Sequence, residues 1–279
     1  MTLLDGKKVK LQILKELKEK IMMLNDSIGL AVVQVGDDAA SNVYVNQKSK
    51  MAANLGYDFQ HLKLDNDVNE NELIGTINRL NNDELVDGIL VQMPIPSHLD
   101  AKKIQNAVLA SKDVDGLTDI NLGRLVHNKN SLVPCTPQGI VDLLKYYEVS
   151  ISGRNVVIIG RSDLVGKPLS SLMTNLDATV TLCHSKTSNL DFYTKNADIL
   201  IAAVGIPNFI TADMIKENAV IVDVGINRMM DGSLCGDVDF NNVKDKASYI
   251  TPVPGGVGQM TVAELALNTY KAHILRKKM

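Results

Sequence analysis

Ser41, Tyr44 and Lys48 are spaced by three and then four positions, so a helix through them turns all three side chains to one face. A phenol beside an ammonium makes an acid–base pair. A lysine in a dry cleft loses proton affinity from its reference pKa of about 10.4 and can then move protons near neutrality, while a phenol can hold or stack on a substrate ring. The same spacing also arises on ordinary exposed helices, so the pair alone decides nothing. Gln92 stands in the apolar segment Ile89-Leu90-Val91-Gln92-Met93, just before Pro94. An amide at a strand's C-terminal end is where α/β sites collect, although a satisfied buried amide reads the same way. Asp113-Val114-Asp115-Gly116 offers two carboxylates before a glycine; extended backbone would turn both to one side, and a turn is the commoner meaning of such a run.

A second cluster lies further on. Val156-Val157-Ile158-Ile159 runs into Gly160-Arg161-Ser162-Asp163-Leu164-Val165-Gly166-Lys167-Pro168, which reads as a strand, a turn and a helix whose N-terminus suits phosphate. It departs from GxGxxG, because Ser162 stands at the second glycine position and Gly166 falls one place late. After the next strand comes His184-Ser185-Lys186-Thr187, where NAD-binding chains offer an acid to the ribose 2′-hydroxyl about 20 residues past the glycines. No acid is there. Arg161, Ser185 and Lys186 suit a 2′-phosphate instead, which favours NADP over NAD.

These residues need elements to hold them. The 279 residues exceed one typical domain and predict two, with an active-site cleft between them. Hydrophobic content of 45% with 22% charged residues is that of a globular chain, and no stretch is long or apolar enough for a bilayer. Met1 to Lys10 carries Asp5 and three lysines without a following apolar signal region, so the expected location is cytoplasmic. Cys135, Cys183 and Cys235 are widely spaced with no CxxC pair, which predicts reduced thiols and no metal site. A net charge of −3 with scattered basic residues argues against nucleic acid as a partner.

Apolar periodicity predicts helices at Val9–Leu24, Ala39–Leu55, Glu70–Leu80, Gln138–Tyr147 and Thr261–Leu275. Strands are predicted at Leu30–Val35, Tyr57–Leu64 and Val86–Met93, then at Val156–Ile159, Thr179–Cys183, Ile199–Val204 and Val220–Val224. Pro134-Cys135-Thr136-Pro137 reads as a hinge, since paired prolines discourage helix. The fold class is therefore α/β with two domains. An N-terminal α/β catalytic domain, residues 1–137 completed by the C-terminal helix 261–279, precedes a Rossmann-like nucleotide-binding domain, residues 138–260.

Five motifs occur in fixed order: Tyr44-xxx-Lys48, Val91-Gln92-Met93-Pro94, Lys112-Asp113-Val114-Asp115-Gly116, Gly160-Arg161-Ser162 with Val165-Gly166-Lys167-Pro168, and Pro252-Val253-Pro254-Gly255-Gly256-Val257-Gly258. Together with Cys183-His184-Ser185-Lys186-Thr187 and Asp223-Val224-Gly225-Ile226-Asn227 they span essentially the whole chain. The set closely resembles the bifunctional methylenetetrahydrofolate dehydrogenase/methenyltetrahydrofolate cyclohydrolase family.

The resemblance implies an oxidoreductase and hydrolase of one-carbon metabolism, serving tetrahydrofolate interconversion and purine biosynthesis. NADP⁺ takes hydride from 5,10-methylenetetrahydrofolate, and water opens the 5,10-methenyl cation to 10-formyltetrahydrofolate. It implies that Lys48 handles the proton, Tyr44 packs on the folate, Gln92 bonds and tunes Lys48, and Asp115 holds the pterin nitrogens. Val91, Met93, Pro254 and Gly255 would line the folate; Gly160, Arg161, Ser162, Ser185 and Ile226 would take NADP. A homodimer is implied as well. One departure is Gln259, where the family's run reads PGGVGPMT with proline; it frees φ, adds an N–H and predicts a more mobile loop before the last helix. A short-chain dehydrogenase also uses a Tyr-xxx-Lys pair with serine, but there the glycine motif comes first, and here Tyr44 precedes Gly160. A folate- or nucleotide-binding protein of the same fold with reduced or single activity is the remaining alternative.

Overall fold

The computed structural model describes residues 1–24 and 26–277. They form two compact units, one of Ile13–Cys135 with Val262–Met279 and one of Met1–Gln12 with Thr136–Thr261.

The first unit is built on a three-stranded parallel sheet in the order Asp58–Leu64, Gly29–Val35, Gly88–Val91. The central strand Gly-Leu-Ala-Val-Val-Gln-Val is buried at every position, as a parallel strand covered on both faces must be. Successive side chains leave a strand on opposite faces, so its residues divide between two cores. Leu30 and Val32 pack with Leu90, Val45, Met51, Leu55 and, from the C-terminal helix, Val262, Leu265 and Ala266. Ala31, Val33 and Val35 pack with Ile89, Val91, Leu73, Ile77 and Ile104.

The helix Ala39–Leu55 starts at Asp38, whose carboxylate accepts the Ser41 N–H at 2.7 Å, and stops at Gly56 in the left-handed region. The C-terminal helix is tied down by an ion pair whose acid is buried. Asp87, 1% exposed, accepts two bonds from Arg276 at 2.6 and 2.9 Å and one from the Gly29 N–H at 2.9 Å.

The second unit is a six-stranded sheet in the order Thr2–Leu3, Tyr249–Ile250, Val220–Asp223, Ile199–Ala202, Asn155–Ile159, Thr179–Cys183, parallel throughout. Chain order reverses between Asn155–Ile159 and Ile199–Ala202, the switch point at whose C-terminal edge doubly wound sheets bind ligands. A short antiparallel hairpin, Asn227–Arg228 with Leu234–Cys235, extends beyond the sheet.

Three expectations are corrected. Residues 1–12 group with the nucleotide-binding unit rather than the first domain, because Thr2–Leu3 pairs with Tyr249–Ile250 as an edge strand. The proline pair falls where the two units divide, but it does not exclude helix: Cys135–Tyr146 is a helix with Pro137 in its first turn, where the missing N–H costs nothing. The last helix runs Val257–Arg276, so Gln259 is helical rather than part of a mobile loop, and its N–H donates to Gly256 O at 3.1 Å.

Candidate active site

In the first unit the helix Ala39–Leu55 presents Lys48 to the end of the strand Gly88–Val91, and Lys48 Nζ donates to Gln92 Oε1 at 2.7 Å. Gln92 is held in register by its own N–H, which donates to Val33 O at 2.8 Å. Its side-chain Nε2 donates to Met93 O at 2.6 Å. That bond fixes the orientation of the amide, because the nitrogen must face a carbonyl and the oxygen must then face the lysine. An acceptor on one N–H leaves the amine's lone pair available when Lys48 is neutral.

Burial is the largest influence on Lys48 and lowers its pKa from the usual 10.5; the charges of Asp115 and Cys135 partly offset it. Burial likewise pushes the Asp115 carboxyl up, against the pull of Lys48. Desolvation drives both groups toward their neutral forms, and the charge of each opposes that drive in the other. Cys135, 2% exposed, donates to Val114 O at 3.3 Å and is pushed well up by burial, which leaves it a packed thiol rather than a nucleophile.

The segment carrying Asp115 is a turn, not extended backbone, so the two carboxylates part company. Asp113 Oδ1 accepts the N–H of Gly116 at 3.0 Å and of Leu117 at 3.2 Å, while Oδ2 accepts the Thr118 N–H at 2.8 Å and Asn121 Nδ2 at 2.9 Å. Asp113 is thereby spent on holding the loop that displays Asp115. Asn268, which the sequence reading passed over, donates to Val114 O at 3.0 Å and Val133 O at 2.8 Å. Its signal was an amide on the buried face of the last helix.

The shared face of Ser41, Tyr44 and Lys48 runs from inside to outside. Ser41 is 3% exposed with Oγ unpartnered, and Tyr44 is 42% exposed, its ring open to a planar ligand. Val91 is only 7% exposed and packs in the core, so its side chain supports the strand end, while Met93 supplies the carbonyl that orients Gln92.

In the second unit the strand Asn155–Ile159 ends at Gly160, with φ 116°. A Cβ on Gly160 would lie 2.1 Å from Ala203 O, and one on Gly166 would lie 1.9 Å from Gly160 O. The late glycine therefore allows the helix Gly166–Asn175 to close on the strand end, the third-glycine role of a dinucleotide turn. Ser162 Oγ accepts the Val165 N–H at 3.1 Å and caps the turn locally.

Ile159 is paired with Cys183, and Gly160 N–H donates to Cys183 O at 2.9 Å, which sets Arg161 and Ser185 just past two adjacent strand ends. Both are exposed. Beside them, two buried carboxylates shape the neighbouring loops. Asp223 accepts the N–H of Gly225 at 3.0 Å and of Asp237 and Val238 at 2.9 Å. Asp237 accepts the N–H of Val204 at 2.7 Å and of Gly205 at 3.0 Å, with Asn227 Nδ2 at 2.9 Å. Ile226, 48% exposed, is presented by this scaffold. Pro254 is exposed and Gly255 half-buried on the segment leading into the last helix.

Residues 4–115 match the model of the tetrahydrofolate dehydrogenase/cyclohydrolase catalytic domain, and residues 134–277 that of the same family's NAD(P)-binding domain. A bifunctional protein FolD of Campylobacter hominis is 49% identical over 275 residues, covering 98% of this chain and 97% of the relative. The crystal structure of the bifunctional enzyme FolD, methylenetetrahydrofolate dehydrogenase/cyclohydrolase, from Campylobacter jejuni superposes with a TM-score of 0.97 at 46% identity, covering 99% of both chains. The Trypanosoma brucei dehydrogenase-cyclohydrolase, solved with NADP cofactor and inhibitor, gives 0.94 at 34% identity, covering 100% of this chain and 99% of that one. With both family models and near-complete relatives in agreement, the chain belongs to the tetrahydrofolate dehydrogenase/cyclohydrolase family.

Proposed function

We propose that this chain oxidises 5,10-methylenetetrahydrofolate with NADP⁺ and hydrolyses the resulting 5,10-methenyl cation to 10-formyltetrahydrofolate. The observation that carries the reading is the 2.7 Å bond from Lys48 Nζ to an orientation-locked Gln92, with Asp115 raised beside it, in a chain of this family. NADP, when bound, supplies the hydride acceptor, and Gly160, Arg161, Ser162, Ser185 and Ile226 are the residues assigned to hold it; the close-packed Gly160–Gly166 turn and the exposed Arg161 and Ser185 fit a phosphate-bearing dinucleotide.

A protonated lysine beside a methenyl cation would raise its energy, and the burial that lowers Lys48's pKa works against that charge. Neutral Lys48 accepts a proton from the water that adds to the methenyl carbon. It then returns that proton to N5 as the carbon–N5 bond breaks, while the hydroxyl left on the carbon gives its own proton to solvent and becomes the carbonyl of the formyl group on N10. Gln92 holds the amine in place, Asp115 engages the pterin nitrogens, and Tyr44 packs on the ring. Val91 and Met93 at the strand end complete the folate contacts of this unit, and Pro254 and Gly255 are the folate contacts that the family resemblance assigns to the nucleotide-binding unit.

No helix among the described residues is long and apolar enough to cross a membrane, which is consistent with the cytoplasmic location in this reading. The homodimer belongs to it too and is supported by the apolar exposure of the hairpin, where Met230 is fully exposed and Leu234 38% exposed. Light scattering checks the dimer. The catalytic reading is tested by absorbance with methylenetetrahydrofolate and NADP⁺ or NAD⁺, following reduced nicotinamide and then methenyl decay. Turnover with NADP⁺ is expected; no signal with either cofactor overturns the reading.

A further inference from the structure

The N-terminal ten residues grip the glycine-rich segment from both ends. Before the segment, Thr2–Leu3 pairs with Tyr249–Ile250 and the Leu4 N–H donates to Ile250 O at 2.9 Å. Within it, the helix Gly6–Met22 begins so close that a Cβ on Gly6 would lie 2.1 Å from Gly256 O, and the Lys7 N–H donates to Gly255 O at 3.2 Å. After it, one turn along, Lys10 Nζ donates to Gln259 Oε1 at 3.0 Å across 249 residues of sequence. Burial lowers the pKa of Lys10, with the Lys7 charge adding to the effect, so this bond forms in a partly dry setting where an ammonium–amide contact is stronger than in water.

Gln259 is held through both its backbone and its side chain here. Its backbone N–H is bonded to Gly256 O at 3.1 Å and its side-chain oxygen to Lys10. A proline at this position would fix φ but offer neither bond.

We propose that Lys10 and Gln259 are a positioning pair: a side-chain pin that fixes the segment Pro252–Gly258 and thereby the placement of Pro254 and Gly255 against the folate. The inference rests on the folate-contact role given to that segment above. Neither residue touches a reacting atom, so the pin acts on substrate affinity rather than on the chemical step.

The test combines hydrogen exchange with steady-state kinetics on the full-length protein. Lys10→Met keeps most of the stem and removes the donor. It is expected to speed amide exchange over residues 255–259 and to raise the folate KM roughly threefold to tenfold, the range for one ordinary hydrogen bond, with kcat within about twofold. Gln259→Glu keeps an acceptor for Lys10 and is expected to leave both readouts near the starting protein. In the Lys10→Met background, Gln259→Pro is expected to recover much of the KM by restricting φ instead.

Unchanged exchange in Lys10→Met overturns the pin whatever the enzyme's activity. Faster exchange with unchanged folate KM overturns the link between the segment and the substrate. Absence of turnover in the unmodified protein counts against the functional reading alone, since the exchange arm still reports on the pin.

Discussion

Two groups of carboxylates show how one side chain does opposite work. Asp223 and Asp237, in the nucleotide-binding unit, are filled by backbone N–H groups from Val204, Gly205, Gly225, Asp237 and Val238. Asp115, in the other unit, is bonded by no backbone N–H among the described residues, and its main charged neighbour is Lys48. A carboxylate saturated by backbone amides is scaffold; one bonded only by the Cys135 thiol and set beside a desolvated amine is chemistry. Asp113 makes the contrast within a single turn, since it takes four donors two residues away from Asp115.

The largest expected effect comes from the chemical side. Lys48→Met removes the amine while keeping the stem, and methenyl hydrolysis is expected to fall about 10²–10⁴-fold, the range for general acid–base groups. NADP affinity, measured by fluorescence titration, is expected to stay within about twofold. Hydrolysis that survives the substitution would place the proton transfer elsewhere.

Asp223→Asn tests the scaffold side. One amide face now points a donor at a backbone donor, a cost of about 1–3 kcal/mol, and the loop bearing Ile226 loosens. NADP should bind roughly tenfold or more weakly while methenyl hydrolysis without cofactor is unchanged; the reverse pattern breaks the comparison.

The same residue predicts a pH dependence of stability. Burial, opposed by the backbone bonds to its oxygens, lifts the Asp223 pKa from 3.8 to about 6. The folded state then holds a proton that the unfolded chain has released, so stability falls as pH rises from about 4 through about 6. The contribution is about 3 kcal/mol. Denaturant melts of the wild type against Asp223→Asn across that window isolate it, and a difference that stays flat with pH rules it out.

Arg161→Ala gives the smallest change, an expected loss of roughly tenfold for NADP with little for NAD, because only NADP has a 2′-phosphate to bond. Equal weakening of both dinucleotides would remove Arg161 from phosphate recognition.

Much of this was legible in sequence because it is local. The helix Ala39–Leu55 carries its own cap and stop in Asp38 and Gly56, and the parallel strands announce themselves as apolar runs. What hid was long-range or context-dependent. The two-residue strand Thr2–Leu3 has no periodicity and exists only because Tyr249–Ile250 offers it an edge. Pro137 reads as a breaker until its place in a first helical turn is known. Asp115 and Asp113 are equivalent as letters, and only the fold decides which of them the backbone consumes. Gln259 read as a loosened loop because Lys10, its partner, lies at the other end of the chain.

The central claim is that burial weakens Lys48's hold on its proton and that Asp115 restrains this. NMR titration of the lysine side chains, with Lys48 assigned by its loss in Lys48→Met, reads it directly. Lys48 is expected to titrate below 10.5 and lower still in Asp115→Asn, which removes a charge that favours the ammonium. A Lys48 that titrates at or above 10.5, or that moves upward when Asp115 is neutralised, would contradict the account.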